Sequence, residues 1–352
     1  MNWLKDHFKG IILYGFLYGI LMLFFLYPMP YELYLPGGVN SAEEFVEIEQ
    51  SYPSSGSFNS SYVSVVTKPS PFQFLLAKLN NKAEIREMGK VERKIPIAEI
   101  TKQDRLQKLN SINTSLIAAY DTANKEIHYT ENGQVIIYRL MDSPAYKILE
   151  VGDIIVKINN TEITNYDKLS NELKSIECNE SFYITVLRDE KEITLNIQKE
   201  KDKNDNCILG VYTYSNYIFD STHSYPNFNI IDTTGYGPSA GLIQTLSVYN
   251  MLTPVDITYG LKIAGTGTID VQGNVGIIGG INQKVFGACK ANVDIFFAPD
   301  IDYLGGNDKA VHNNYKDALK AKEIMNSDII IVPVKTLDDA INYLTEHYGQ
   351  NN

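Results

Sequence analysis

The sequence predicts one membrane-spanning helix, then a small β-rich domain, then a mixed α/β (α+β) domain. Three observations carry that reading. Residues 10–27 run without a charge, and at 1.5 Å per residue they reach roughly 27 Å, enough for a bilayer core. Residues 115–200 hold short β-branched runs around one helical stretch. Residues 207–348 alternate apolar strand-like runs with helix starts marked by Pro, Gly or Thr. Residues 1–9 and 28–114 complete the division, as a cytoplasmic N-terminus and an extracytoplasmic N-terminal region.

A chain of 352 residues accommodates two folded domains plus an anchor. Apolar residues at 44% and charged residues at 21% suit ordinary cores rather than disorder. A net charge of -11 argues against a nucleic-acid partner, because nothing offsets phosphate repulsion. Cys178, Cys207 and Cys289 form no zinc pattern and read as small apolar fillers. A single Cys178–Cys207 bridge stays open if the domain lies outside the cell.

Orientation follows from charge. Lys5 and Lys9 precede the apolar run, whereas after it no Lys or Arg occurs until Lys68. That asymmetry puts the N-terminus in the cytoplasm and the remainder outside. The sequence Leu26-Tyr-Pro-Met-Pro-Tyr31 lacks the small-x-small site of a cleaved signal, so the segment reads as a retained membrane anchor. Tyr27, Tyr31 and Tyr34 suit the outer interface.

Beyond the anchor, residues 36–70 are rich in Pro, Gly and Ser, with a strand-like alternation from Tyr62 to Val66. Residues 72–109 are polar and helix-prone. In the β-rich domain, Val135–Leu140 is strand-like, Asp142-Ser-Pro-Ala145 turns into a short helix, and Gly152-Asp153 precedes the run Ile154, Ile155, Val156, Ile158. A helix over residues 166–176 and strands over 182–187 and 192–198 close it. The Gly-Asp turn and its apolar run resemble the core of a PDZ domain over about eighty residues. PDZ domains bind peptides by adding them as a strand to a sheet edge beside a helix. The resemblance implies a peptide site at Gly133, Val135 and Ile136. With one glycine in Glu131-Asn-Gly-Gln-Val-Ile136, strand addition is expected rather than capture of a terminal carboxylate.

In the last domain, two helix starts place a serine and a lysine forty-five residues apart: Gly237-Pro-Ser239-Ala-Gly241 and Gly279-Gly-Ile-Asn-Gln-Lys284. Proline in a first helical turn costs no hydrogen bond. Ser239 then lies among the unpaired N–H groups and positive dipole end of a helix start, which favour a developing oxyanion. Gly235, Gly237 and Gly241 leave room for a substrate backbone. A serine hydroxyl needs a base. His7, His128, His223, His312 and His347 have no recognisable partner motif, His223 remaining the alternative base. No HExxH occurs, which points away from a zinc peptidase; no metal and no cofactor are expected. Lysine serves as a base when burial keeps it neutral. Lys284 has Val285, Phe286 and Ala288 beside it and no carboxylate between residues 274 and 293.

These residues resemble the proteolytic domain of the Lon family, peptidase family S16. Carrying the likeness are Gly237–Gly241, Ala264-Gly-Thr-Gly-Thr-Ile-Asp270, Gly273–Gly280, Lys284, Ala288 and Phe296–Pro299. The resemblance implies Ser239 as nucleophile and Lys284 as general base, with Thr266 supporting the lysine and Gly237, Pro238 and Ala240 framing the serine. Thr268 stands where Lon proteins carry glutamate, and no GxxxxGK[ST] phosphate loop occurs, so ATP-driven unfolding is not expected. Anchor, PDZ-like and Lon-type segments together resemble the PDZ-containing Lon-like proteases of Gram-positive bacteria. The expected function is an ATP-independent serine endopeptidase on extracytoplasmic peptides or membrane-protein segments. A non-catalytic, membrane-anchored peptide-binding scaffold is the rival. The family likeness also raises a homo-oligomeric ring, although no residue pattern marks its interface.

Overall fold

The protein is seen in a computed structural model that describes residues 2–89, 92–202, 204–231, 237–304 and 310–349. It opens with helix α1 (Asn2–Leu26), long and apolar enough to cross a membrane and unburied along its apolar span. Strands β1 (Tyr31–Ser41), β2 (Val46–Ile48) and β3 (Ser57–Thr67) follow. Helix α2 (Pro71–Leu79) starts at a Ser70/Gln73 capping box with Pro71 in its first turn. After β4 (Glu84–Glu87) comes the long helix α3 (Ile97–Thr122).

Residues 115–122, grouped with the β-rich domain by sequence, are the last turns of α3. Every residue from Ser111 to Tyr120 is buried, so this stretch has no polar face and no helical periodicity to read. Ser111 Oγ donates to Gln244 Oε1 at 3.1 Å and Ser115 Oγ to the Gly241 carbonyl at 3.0 Å, tying α3 to the last domain.

The β-rich domain comprises β5 (Tyr129–Arg139), α4 (Pro144–Ile148), β6 (Ile154–Ile158), β7 (Thr161–Glu162), α5 (Tyr166–Ser175), β8 (Ser181–Arg188) and β9 (Lys191–Gln198). A short pair, β10 (Glu200–Lys201) and β11 (Cys207–Ile208), leads to β12 (Val211–Phe219). The sheet order is β12-β5-β6-β8-β9, with β7 on β6. Its core gathers Ile136, Ile155, Ile158, Leu169, Phe182, Ile184 and Val186. Asp153, 1% exposed, is held by Arg188 at 2.7 Å, which explains a buried carboxylate in the Gly-Asp turn.

Two expectations are corrected here. Cys178 and Cys207 are not fillers but a disulfide with Cα atoms 5.7 Å apart, fastening β11 to the loop after α5; Cys289 is free. And the β5 edge at Gly133, Val135 and Ile136 is not open. Tyr214 pairs with Val135 and Thr213 with Ile136 on one side, while β6 pairs on the other. Ile136 itself is fully buried in the core.

The remaining chain runs β13 (Phe228–Ile230), a 3₁₀ turn at Pro238–Ala240, α6 (Gly241–Leu252), β14 (Lys262–Gly265), β15 (Thr268–Ile269) and β16 (Val275–Gly276). Then come α7 (Ile281–Lys290), β17 (Ile295–Pro299), β18 (Asp302–Leu304), β19 (Val311–Asn313), α8 (Asn314–Met325), β20 (Ile330–Val334) and α9 (Leu337–Tyr348). The Thr336/Asp339 capping box opens α9 as its sequence indicates.

The principal sheet has the order β20-β17-β14-β3-β1-β4. Its β20, β17, β14 and β3 are parallel, whereas β1 is antiparallel to both β3 and β4. Strands from before the β-rich domain and strands from after it therefore complete one sheet. The β-rich domain is an insertion between them. One core layer, with Phe58, Leu242, Ile263 and Phe297, lies under α6 and α9; the other, with Val285, Phe296 and Ile331, lies under α7 and α8.

Candidate active site

Ser239 sits in the 3₁₀ turn that feeds α6, and Lys284 in the first turn of α7. Both line one cleft of about 500 Å³ together with Gly237, Pro238, Gly279 and Gly280. Its other walls come from Tyr34 of β1, Asp104 of α3, and Ser60–Val63 and Val65 of β3. No sequence motif marks these wall residues as part of the site. Only the Tyr62–Val66 alternation hinted at them, and nothing local tells that β3 would pass two helix starts.

Lys284 is 4% exposed, and desolvation lowers its pKa to about 7. Its Nζ donates to Thr266 Oγ1 at 3.1 Å. Thr266 is fully buried after β14, and its hydroxyl proton goes to the Ser239 carbonyl at 2.9 Å. A hydroxyl has one proton. With that proton committed to Ser239, Thr266 can only accept from the lysine, which fixes the amine's orientation. The Gly267 N–H bonds the same Ser239 carbonyl at 2.9 Å, so the turn carrying the serine is held twice.

Helix α7 begins at Gly280, whose φ of 68° is left-handed and natural for glycine. That turn aims Lys284 inward among Val285, Phe286 and Ala288, and among the described residues no carboxylate contacts it.

The helix start offers fewer free donors than its sequence implies. The Ala240 N–H goes to the Gly237 carbonyl, that of Gly241 to Pro238, and that of Leu242 to Gly267. Among the described residues, no acceptor is recorded for the Ser239 N–H, which leaves it as the donor this helix start can offer. Ala240 is buried and packs beneath the turn, whereas Gly237 and Pro238 border the cleft. Gly235 lies outside the described residues. His223 pairs with Asp220 at 2.7 Å, is 76% exposed, and does not line the cleft. Among the described residues no group of three His, Cys, Asp or Glu could hold a metal ion.

Comparison with known proteins finds two family matches in the chain. Residues 126–198 match the PDZ domain family, and residues 232–344 match the Lon protease (S16) C-terminal proteolytic domain. A Lon protease of Trichlorobacter lovleyi is 29% identical over 32% of this chain and 12% of its own length. One from Xanthomonas oryzae is 30% identical over 31% of this chain and 11% of its own. The chain thus spans about one-eighth or less of the curated relatives it matches. The PDZ domain of an SdrC-like protein from Listeria monocytogenes is 20% identical, covering 24% of this chain and 90% of that domain, with a TM-score of 0.23. The chain joins a PDZ domain to a Lon-type (S16) proteolytic domain, the make-up of a PDZ-containing Lon-like protease.

Proposed function

We propose that this protein is a membrane-anchored, ATP-independent serine endopeptidase with a Ser239–Lys284 dyad. The observation that carries the reading is a buried lysine, with pKa about 7 and no acidic partner among the described residues, in the same cleft as a serine at a helix start. At neutral pH much of Lys284 is then a free amine. Ser239 Oγ attacks the scissile carbonyl while its proton passes to Lys284 Nζ. The carbonyl oxygen becomes an oxyanion beside the Ser239 N–H, a contact type worth about 3 kcal/mol in related chemistry. Lys284 returns the proton to the leaving amine, and water then releases the acyl group by the same route.

The substrate is held as an extended strand. From Ser61 onward β3 pairs with β1 on one side, while among the described residues its other side has no partner strand. That free edge borders the cleft, and an unpaired strand edge is a template for a peptide backbone. Recognition through backbone groups suits an enzyme acting on unfolded or extended segments.

Helix α1 is read as the anchor, with the remainder outside the cell. In support, the apolar face of α2 leaves Leu75, Leu76 and Leu79 exposed, and Phe72 packs on Phe24 and Phe25 at the far end of α1. The Cys178–Cys207 bridge suits an oxidising compartment.

The test is cleavage of casein by the purified full chain in detergent without ATP, beside Ser239→Ala and Lys284→Ala. Turnover by wild type alone is expected. Undiminished turnover by Lys284→Ala removes lysine as the base. Absence of turnover, combined with no labelling of Ser239 by a fluorophosphonate probe, favours the scaffold.

A further inference from the structure

We infer that helix α2 is a second membrane contact, lying in the surface of the bilayer beside the end of α1. Phe72, Leu75, Leu76 and Leu79 fall at i, i+3, i+4 and i+7 and so share one face of the helix. The three leucines are exposed, Leu79 to 77%. Phe74 and Ala77 lie on the opposite side, where Ala77 is buried and the Phe74 ring packs on Tyr31 at 4.7 Å. One face of α2 thus serves the fold, and the apolar face is left over.

That leftover face adjoins the membrane span. Its first residue, Phe72, meets Phe24 and Phe25 in the last turn of α1, with ring centroids 5.9 and 4.9 Å apart. The link between the helices is fastened as well. Met29 N–H donates to the Pro69 carbonyl and Lys68 N–H to the Tyr31 carbonyl, both at 2.9 Å. Helix α2 is therefore held level with the point where α1 leaves the hydrocarbon, the depth at which an amphipathic helix settles.

Charge fits the same occupant. From residue 50 to residue 83 the chain carries no carboxylate and three lysines, Lys68, Lys78 and Lys82, within a protein of net charge -11. Basic residues beside an apolar helical face suit anionic headgroups, while the leucines enter the acyl boundary. This seating rests on the reading of α1 as the anchor, and it sets the height of the catalytic cleft. Val65 lines the cleft and lies six residues before Pro71, at most about 20 Å of extended chain. The segments that reach Ser239 are then those near the membrane surface. That consequence depends on the peptidase reading; the seating of α2 does not.

The test uses the full chain in vesicles of phosphatidylcholine and phosphatidylglycerol, the former with acyl chains brominated near the headgroup. Trp3 is the only tryptophan, so Trp3→Phe gives a silent background. Single tryptophans are then introduced by Leu76→Trp and Leu79→Trp on the apolar face, by Lys78→Trp off it, and by Leu23→Trp on α1. All four positions are exposed, so the fold tolerates the larger ring. Expected at positions 76 and 79 are blue-shifted emission and quenching comparable to that at position 23, with weaker quenching at position 78. Unquenched emission at positions 76 and 79 overturns the inference: blue-shifted, it means that a second copy covers the face, and red-shifted, that water does. The two readings fail separately. Quenching at positions 76 and 79 but not 23 supports the α2 contact and removes the span, whereas no quenching at any position removes both. None of these readouts needs catalysis.

Discussion

Lys284 Nζ and Thr266 Oγ1 lie 3.1 Å apart in a region where both side chains are buried, and Thr266 passes its own proton to the Ser239 carbonyl. One hydroxyl therefore links the candidate base to the backbone of the candidate nucleophile. Thr266→Val removes that link and leaves two buried polar groups short of a partner, a loss of about 1–3 kcal/mol. Turnover is expected to fall about 10- to 100-fold with little change in KM. Thr266→Ser should restore most of it. Equal loss in both variants points to packing instead.

Activity should depend on pH through Lys284. The base is its neutral form, and burial brings its pKa down to about 7. Turnover should rise as pH passes through that value and level off above it. A kcat profile flat from about pH 6 to 9 contradicts a lysine base.

The same burial has a stability signature. A folded-state pKa below the unfolded value means the unfolded chain binds more protons between about 7 and 10.5, so stability rises with pH across that window. The desolvation cost is full below pH 7 and gone above 10.5. Lys284→Met should therefore raise Tm more at pH 6 than at pH 10, corresponding to at most about 5 kcal/mol. An equal effect at both pH values contradicts a neutral buried amine.

Three glycines near the site should behave differently. A Cβ on Gly237 meets nothing within 4 Å, so Gly237→Leu should keep the wild-type Tm while raising KM by filling the cleft. A Cβ on Gly241 comes within 2.9 Å of the Ile269 amide, and one on Gly287 within 3.1 Å of the Gly37 backbone. Alanine at either position should lower stability by about 1–3 kcal/mol. Thermal melts and steady-state kinetics separate these outcomes.

Loss of the Cys178–Cys207 bridge frees a loop of 29 residues. Replacing both cysteines by serine should destabilise the PDZ domain by about 3–4 kcal/mol in the chain-entropy picture. Hydrogen exchange should report the loss first in β11 and β12. Unchanged protection there contradicts the bridge as their fastening.

Much of this molecule is local and therefore legible in its sequence. A charge-free apolar run, a Gly-Asp turn before β-branched residues, a proline-led helix start and a Thr336/Asp339 cap each encode their element within a few residues. The candidate pair of Ser239 and Lys284 is legible only through the likeness to a known family, and the fold brings the two to one cleft. What only the tertiary structure decided is long-range. The β1–β3 pair joins strands β14, β17 and β20 across more than 190 residues, β12 returns to the β5 edge, and α3 loses its polar face against α6. Sequence patterns report burial one element at a time, because periodicity arises from a single helix or strand meeting a single surface. Strand partners are chosen by exposed backbone edges, and backbone groups are the same for nearly every residue.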